Sequence, residues 1–99
     1  MNIEKKIYKK LLTVPHGKIT TYNELSKSIG LENGQRLVGQ IMKKNPLPAI
    51  IPCHRVIKSN GDIGGYLFGI DIKKNMLRKE GICITKNKID NFEEVFFTF

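Results

Sequence analysis

Apolar residues recur three and four positions apart near the start of the chain, and that spacing predicts a helix from Asn2 to Val14. Ile3, Ile7, Tyr8, Leu11 and Leu12 share one face, while Glu4, Lys5, Lys6, Lys9 and Lys10 take the other. Pro15 and Gly17 end it. Lys18-Ile19-Thr20 is short and β-branched and reads as extended. Thr21 then caps a second helix, with Glu24 three residues on completing the sequence of a capping box. Leu25 and Ile29 are its inward positions and Gly30 its stop. After a turn at Glu32-Asn33-Gly34, a third helix runs from about Gln35 to Lys44. It turns Leu37, Val38, Ile41 and Met42 inward and Arg36, Gln40, Lys43 and Lys44 outward. Two short helices joined by a tight glycine-containing turn form a helix-turn-helix pattern.

Asn45-Pro46-Leu47-Pro48 breaks that helix and leads into Ile50-Ile51-Pro52-Cys53-His54-Arg55-Val56. Arg55 to Lys58 reads as extended, Ser59-Asn60-Gly61-Asp62 as a turn, and Gly64 to Gly69 as a flexible loop. Asp71 is expected to cap a fourth helix reaching Glu80, with Ile72, Met76 and Leu77 inward and Gly81 as the stop. Ile82, Ile84 and Ile89 alternate about Asn87, which predicts a short hairpin, and the aromatic end from Phe92 to Phe99 must pack somewhere. The fold class is mainly α with short β: one domain over residues 1–99, with length for a single modest core.

Charge changes this picture. The net charge is +8 and the pI about 9.7, which points to a polyanion as partner, most often nucleic acid, although solvated lysine faces also occur alone. No run approaches the roughly 20 apolar residues of a membrane span, and no signal-peptide pattern opens the chain. A cytoplasmic protein is expected. Cys53 and Cys83 are too few for a disulfide framework, and with His16 and His54 they form no recognisable metal spacing. Neither metal nor cofactor is expected.

Candidate chemistry concentrates at Cys53. Pro52 fixes its own φ and biases Ile51 toward an extended conformation, which sets the cysteine on a rigid pedestal. A thiol becomes a useful nucleophile when it is partly thiolate, and His54 and Arg55 are the residue types that shift it that way. A lone Cys-His pair is more often a small core residue beside a satisfied histidine. Gly39 lowers the stability of the third helix relative to alanine, which suggests a close approach by a neighbouring backbone or a ligand.

Taken in order, Thr21-Tyr22-Asn23-Glu24-Leu25, Arg36-Leu37-Val38-Gly39, Asn45-Pro46-Leu47-Pro48, Ile51-Pro52-Cys53-His54-Arg55-Val56, Gly65-Tyr66 and Leu77-Arg78-Lys79-Glu80-Gly81 change the balance. From about Leu11 to Gly81 the chain resembles the DNA-binding and active-site domain of the O6-alkylguanine-DNA alkyltransferase family. The resemblance implies a winged helix-turn-helix domain with a Pro-Cys-His-Arg active-site turn. It implies a stoichiometric, self-inactivating methylated-DNA–protein-cysteine methyltransferase that acts as a monomer on double-stranded DNA containing O6-alkylguanine. Cys53 would accept the alkyl group, His54 would serve as base through a water, and Glu80 would hold the far ring nitrogen. Tyr22 would supply a donor at the purine N3 and also meet DNA, and Asn45 would tie the third helix to the cysteine turn.

The same resemblance implies that the third helix enters the minor groove and that the damaged nucleotide is flipped out. Arg36 would fill the vacated stack, Gly39 would allow close approach, and Gln40, Lys43 and Lys44 would lie along the DNA. Tyr66, Leu67, Met42, Val56 and Ser59 would line the base and alkyl pocket, with the Ser59–Gly69 loop closing over it. Two departures stand out. The N-terminal domain of the family's longer members has no counterpart here, and Leu67-Phe68 replaces the usual small residues after the tyrosine. Phe68 would either narrow the pocket toward methyl or point with Leu67 into the core. A shorter related group, the alkyltransferase-like proteins, lacks the nucleophile and binds alkylated DNA without repairing it. Cys53 favours transfer over such a lesion sensor. A plain winged-helix regulator and a cysteine hydrolase are the remaining readings.

Overall fold

Asn2 starts the first helix in the computed structural model, which describes residues 2–48 and 50–99. Its side chain accepts from the Lys5 N–H at 2.8 Å and caps α1 (Ile3–Leu11). Ile7 and Leu11 are buried, as the spacing requires. The helix ends at Leu11 and not at Val14, because the Thr13 hydroxyl bonds back to the Lys10 carbonyl at 2.6 Å and turns the chain. Ile3 at the first turn and Leu12 past the last are therefore exposed.

β1 (Thr20–Thr21) runs directly into α2 (Tyr22–Ser28). The Thr21 hydroxyl accepts from the Glu24 N–H at 3.0 Å, and the Glu24 carboxylate accepts from the Phe99 N–H at 3.4 Å. Buried Ser26 pins the turn to α3 (Gln35–Lys43): its hydroxyl donates to the Leu31 carbonyl at 2.5 Å and accepts from the Gly34 N–H at 2.9 Å. Val38, Ile41 and Met42 point inward from α3. Leu37, expected there, is exposed and borders a hollow beside Ile3. Tyr8 ties α1 to α3 by donating to the Ile41 carbonyl at 3.0 Å.

β2 (Val56–Ile57) pairs in parallel with β1, Thr20 opposite Val56 and Thr21 opposite Ile57. That register brings the start of α2 beside the segment after β2 and sets the cysteine turn at the opposite end. The aromatic tail lies along the free edge of β1: the Ile19 N–H donates to the Val95 carbonyl at 2.9 Å and the Phe97 N–H to the Ile19 carbonyl at 2.7 Å. Before it come an antiparallel hairpin, β3 (Ile84–Thr85) and β4 (Lys88–Ile89), and a short α5 (Phe92–Val95). Lys86 and Asn87 turn the hairpin with positive φ of 49° and 66°, as a tight two-residue connection requires.

The single core expected from length is divided. One cluster joins Ile7, Leu11, Leu25, Val38, Ile41 and Cys53 with Val56, and the other joins Ile19, Ile63, Leu77, Ile84 and Val95 with Ile57. Val56 and Ile57 are neighbours on β2 whose side chains point to opposite faces, so the small sheet is the partition.

α4 (Ile70–Lys79) begins after Gly69, whose φ of 102° only glycine adopts readily. Asp71 sits in the first turn and is not the cap. Ile72 is exposed and Met76 half-buried. The fully buried positions, one turn apart, are Leu77 and Lys73.

Candidate active site

The cysteine turn is held from both sides. Pro52 (φ −79°, ψ 66°) is the centre of an inverse γ-turn, with the Cys53 N–H donating to the Ile51 carbonyl at 2.7 Å. Asn45, buried where α3 has ended, donates its amide to the same carbonyl at 2.8 Å and accepts from the Leu47 N–H at 2.9 Å. Cys53 to Arg55 then form a single 3-10 turn, where the sequence suggested that Arg55 was already extended.

His54 is buried, and its Nε2 lies 2.6 Å from Glu80 Oε2. Glu80 closes α4, and its carboxylate is shared. Arg55 donates Nε to Oε1 at 2.9 Å and Nη2 to Oε2 at 3.1 Å, and the Gly17 N–H donates to Oε1 at 3.1 Å. Gly17 aims that N–H from a φ of 86°, a second position where glycine is needed. Arg55 also donates Nη1 to the Val14 carbonyl at 3.0 Å, joining the end of α1 to the cluster. Burial alone would raise the Glu80 carboxyl, but the bonds from Arg55, His54 and Gly17 outweigh it and hold it below the usual range.

Burial lowers the His54 pKa, and it wins over the opposing hydrogen bond and charge of Glu80; the Arg55 and Lys73 charges act in the same direction as burial. The imidazole is thus neutral near pH 7. With Glu80 taking the Nε2 hydrogen, Nδ1 is the acceptor, and it has no hydrogen-bond partner among the described residues. A neutral base with its proton-accepting nitrogen free stands next to a cysteine.

Cys53 opens on a cavity of about 400 Å³ whose lining includes Tyr22, Gly39, Met42, Gly65, Tyr66 and Leu67, with Lys43 at its edge. Burial raises the Tyr22 phenol, and an ionised Cys53 sulfur adds to this, as it does for Tyr66. Tyr22 therefore keeps its proton and can donate it. Tyr22 and Gly39 also border a second cavity of about 650 Å³, lined by Asn23, Gln35, Arg36, Lys58, Ser59 and Asn60.

Two residues expected in the alkyl pocket are elsewhere. Val56 is fully buried in the core behind the turn, because β2 faces it inward. Ser59 lines the neighbouring cavity, at the β2 end marked by Lys58. On α3 the stripe Arg36, Gly39 and Lys43, spaced three and four apart, faces the cavities. Gln40 and Lys44 border the hollow beside Ile3 and Leu37, one step round the helix. Phe68 neither narrows the pocket nor enters the core. It stands outward, edge-on to Tyr66 with ring centroids 5.6 Å apart.

Two members of the site were missed from sequence. Arg55 appeared there only as a generic positive neighbour. Lys73 was not singled out, although its spacing of four from Leu77 put it on the inward face.

Comparison with known proteins agrees with this geometry. The family model described as "6-O-methylguanine DNA methyltransferase, DNA binding domain" matches residues 2–82. A methylated-DNA–protein-cysteine methyltransferase of Methanosarcina acetivorans is 42% identical over 80 residues, covering 81% of this chain and 51% of that protein. The chain spans about half the length of the curated relatives it matches. The crystal structure of Mycobacterium tuberculosis OGT in complex with DNA matches with a TM-score of 0.78 and 38% identity, over 81% of this chain and 50% of that one. S. pombe Atl1, in complex with damaged DNA containing O6-carboxymethylguanine, matches at a TM-score of 0.86 and 28% identity over 100% of both chains.

Proposed function

The chain belongs to the 6-O-methylguanine DNA methyltransferase family, and from that premise we propose that it repairs O6-alkylguanine in duplex DNA by moving the alkyl group onto Cys53 in one turnover. The observation that carries this reading is the His54–Glu80 hydrogen bond of 2.6 Å, set directly behind a cysteine that opens on a cavity.

His54 Nδ1 takes the thiol proton through a water. The thiolate then attacks the sp³ alkyl carbon, forming the S–C bond as the C–O6 bond breaks and its electron pair stays with the purine. Glu80 fixes the imidazole orientation and balances the imidazolium that forms. Tyr22 meets the charge developing on the purine at N3, and its raised pKa keeps the phenol protonated for that role. The thioether is stable, so each molecule acts once.

A carbon within a duplex is out of reach, so the nucleotide must be everted, at a cost of a few kcal/mol in stacking and pairing. The α3 stripe supports minor-groove docking. Exposed Arg36 stands beside the cavities to enter the vacated stack, and Lys43 supplies a cation at the rim. At Gly39 an added Cβ would have Tyr22 Cε1 at 4.0 Å as its nearest neighbour, so the fold itself does not require the glycine. Its bareness then serves an approaching backbone. Lys44 and Gln40 extend the contact along the next flank, and the contacts are to phosphates and not to base edges, which gives affinity without sequence choice.

The test is stoichiometric. Mixing the chain with duplex containing O6-methylguanine should convert one lesion to guanine per protein molecule, and Cys53→Ala should convert none. Continued conversion beyond one equivalent, or none by the natural chain, rejects the proposal. The end-to-end match to S. pombe Atl1 favours a second reading, selective binding of alkylated DNA without transfer. In that case lesion binding persists with no guanine formed, and Cys53→Ala binds equally well.

A further inference from the structure

The Tyr22 ring lies between two glycines. A Cβ added at Gly39 on α3 would have Tyr22 Cε1 at 4.0 Å, and one added at Gly64 would have the Tyr22 hydroxyl at 3.4 Å and Cε2 at 3.6 Å. Cε1 and Cε2 are opposite edges of the ring, so each glycine bounds one side, and Gly64 also bounds the phenol oxygen. Gly39 is fixed within a helix. Gly64 belongs to no helix or strand and holds a φ of 70°.

The bonds around Gly64 show what fixes it. The residues before it are laced to the hairpin: the Ile89 N–H donates to the Gly61 carbonyl at 2.9 Å, and the Ile63 N–H to the Asn87 carbonyl at 2.8 Å. The Gly65 carbonyl after it accepts from Lys73 Nζ at 3.0 Å. Between these anchors Gly64 makes no backbone–backbone hydrogen bond among the described residues. Its N–H donates to Asp62 Oδ1 at 2.9 Å. Asp62 is itself well seated, since its N–H donates to Asn60 Oδ1 at 3.0 Å and its carbonyl accepts from the Lys58 N–H at 2.9 Å. A carboxylate at a partly exposed position is satisfied by water as readily as by an N–H. The partner that needs this bond is therefore Gly64, whose backbone has other conformations open to it.

We propose that Asp62 is a positioning residue: by fixing Gly64 it sets the Tyr22 phenol where it meets the departing purine. The inference rests on the reading of Tyr22 as that donor. Asp62 acts through Gly64 and takes no part in the proton's path.

The experiment is a double-mutant cycle on single-turnover transfer from O6-methylguanine duplex, at saturating protein so that affinity drops out. Tyr22→Phe keeps the ring but loses the donor, and should slow transfer about a hundredfold. Asp62→Ala should slow it about tenfold, since the donor is displaced and not lost. Asp62→Asn keeps the acceptor without the charge and should transfer as fast as the natural chain. In the Tyr22→Phe background, Asp62→Ala should add less than about a twofold effect, because no donor is left to misplace. Equal slowing by Asp62→Ala in both backgrounds overturns the proposal. So does full speed in the Asp62→Ala single variant, or slowing by Asp62→Asn to match it. Should Asp62→Ala not fold, Asp62→Glu, which carries the acceptor one methylene too far, takes its place with the same expectations. A second readout needs no DNA. In fluorotyrosine-labelled protein the Tyr22 fluorine resonance, identified by its absence from Tyr22→Phe, should move in Asp62→Ala and stay in Asp62→Asn; a resonance unmoved in Asp62→Ala overturns the proposal. If the natural chain transfers nothing, or Tyr22→Phe is as fast as it, the reading of the site falls, and this resonance alone decides whether Asp62 places the ring.

Discussion

Cys53 belongs to one hydrophobic cluster, while Glu80, which holds its histidine, ends a helix anchored by Leu77 in the other. The first cluster is bordered by aromatic and polar side chains, Tyr8, Tyr22 and Tyr66 among them, and opens on a cavity. The second is aliphatic apart from the flanking rings of Phe92 and Phe96, and it is closed by the hairpin and tail. The proposed acceptor Cys53 therefore sits at an open edge of the fold, and Glu80, bonded to the neighbouring His54, is carried by the other cluster. Packing far from the thiol should consequently act on the chemistry.

The strongest way to break that comparison is Leu77→Ala. A fully buried leucine in a closed cluster should lose about 3 kcal/mol of stability, read by urea unfolding. Transfer should slow as well, because Glu80 lies one turn away; unchanged transfer in the folded variant would separate the two regions.

Glu80→Gln should reduce single-turnover transfer by about a hundredfold or more, the usual contribution of an oriented base. It also strands Arg55, so a stability loss of about 3 kcal/mol should accompany it. A rate within a factor of two of the natural chain would remove Glu80 from the mechanism.

Acid sharpens the same point. His54 and Glu80 both have folded-state values below their ordinary ones, so the fold binds fewer protons than the unfolded chain as pH falls. Their contribution is complete above the ordinary histidine value of 6.5 and is lost on acidification, first through His54 and then, below about 4.5, through Glu80. Thermal scans should show Tm falling over this window, and Glu80→Gln should flatten its lower part. Equal slopes in the two proteins would contradict the assignment.

The smallest effect is expected at Leu12. It is exposed past the end of α1, so Leu12→Ser should change stability by no more than about 0.5 kcal/mol in urea unfolding. A loss near that of Leu77→Ala would restore the longer helix suggested by the spacing.

Local chemistry was the legible part of this sequence. Thr21 caps α2, Gly34 closes the helix-turn-helix turn, and the prolines deliver Cys53, each through contacts spanning no more than eight residues. Helical periodicity failed where a helix is short or half-covered: Leu37 and Ile72 obey the apolar spacing but lie one step outside the buried arc. Val56 and Ser59 were misplaced for another reason. Which way a two-residue strand faces is set by its partner β1, more than thirty residues earlier. Lys73 was hidden because hydropathy counts a lysine as solvent-facing, and the carbonyls that receive it come from segments distant in sequence. The aromatic tail had to pack, but its place bridged to Ile19 just before β1 depends on hydrogen bonds that no pattern announces.

Peptide mass of the chain after incubation with an excess of O6-methylguanine duplex tests the central claim most directly. The account predicts one added methyl, confined to the peptide containing Cys53 and absent from the peptide containing Cys83. An unmodified Cys53 peptide recovered from protein still bound to the lesion would contradict it.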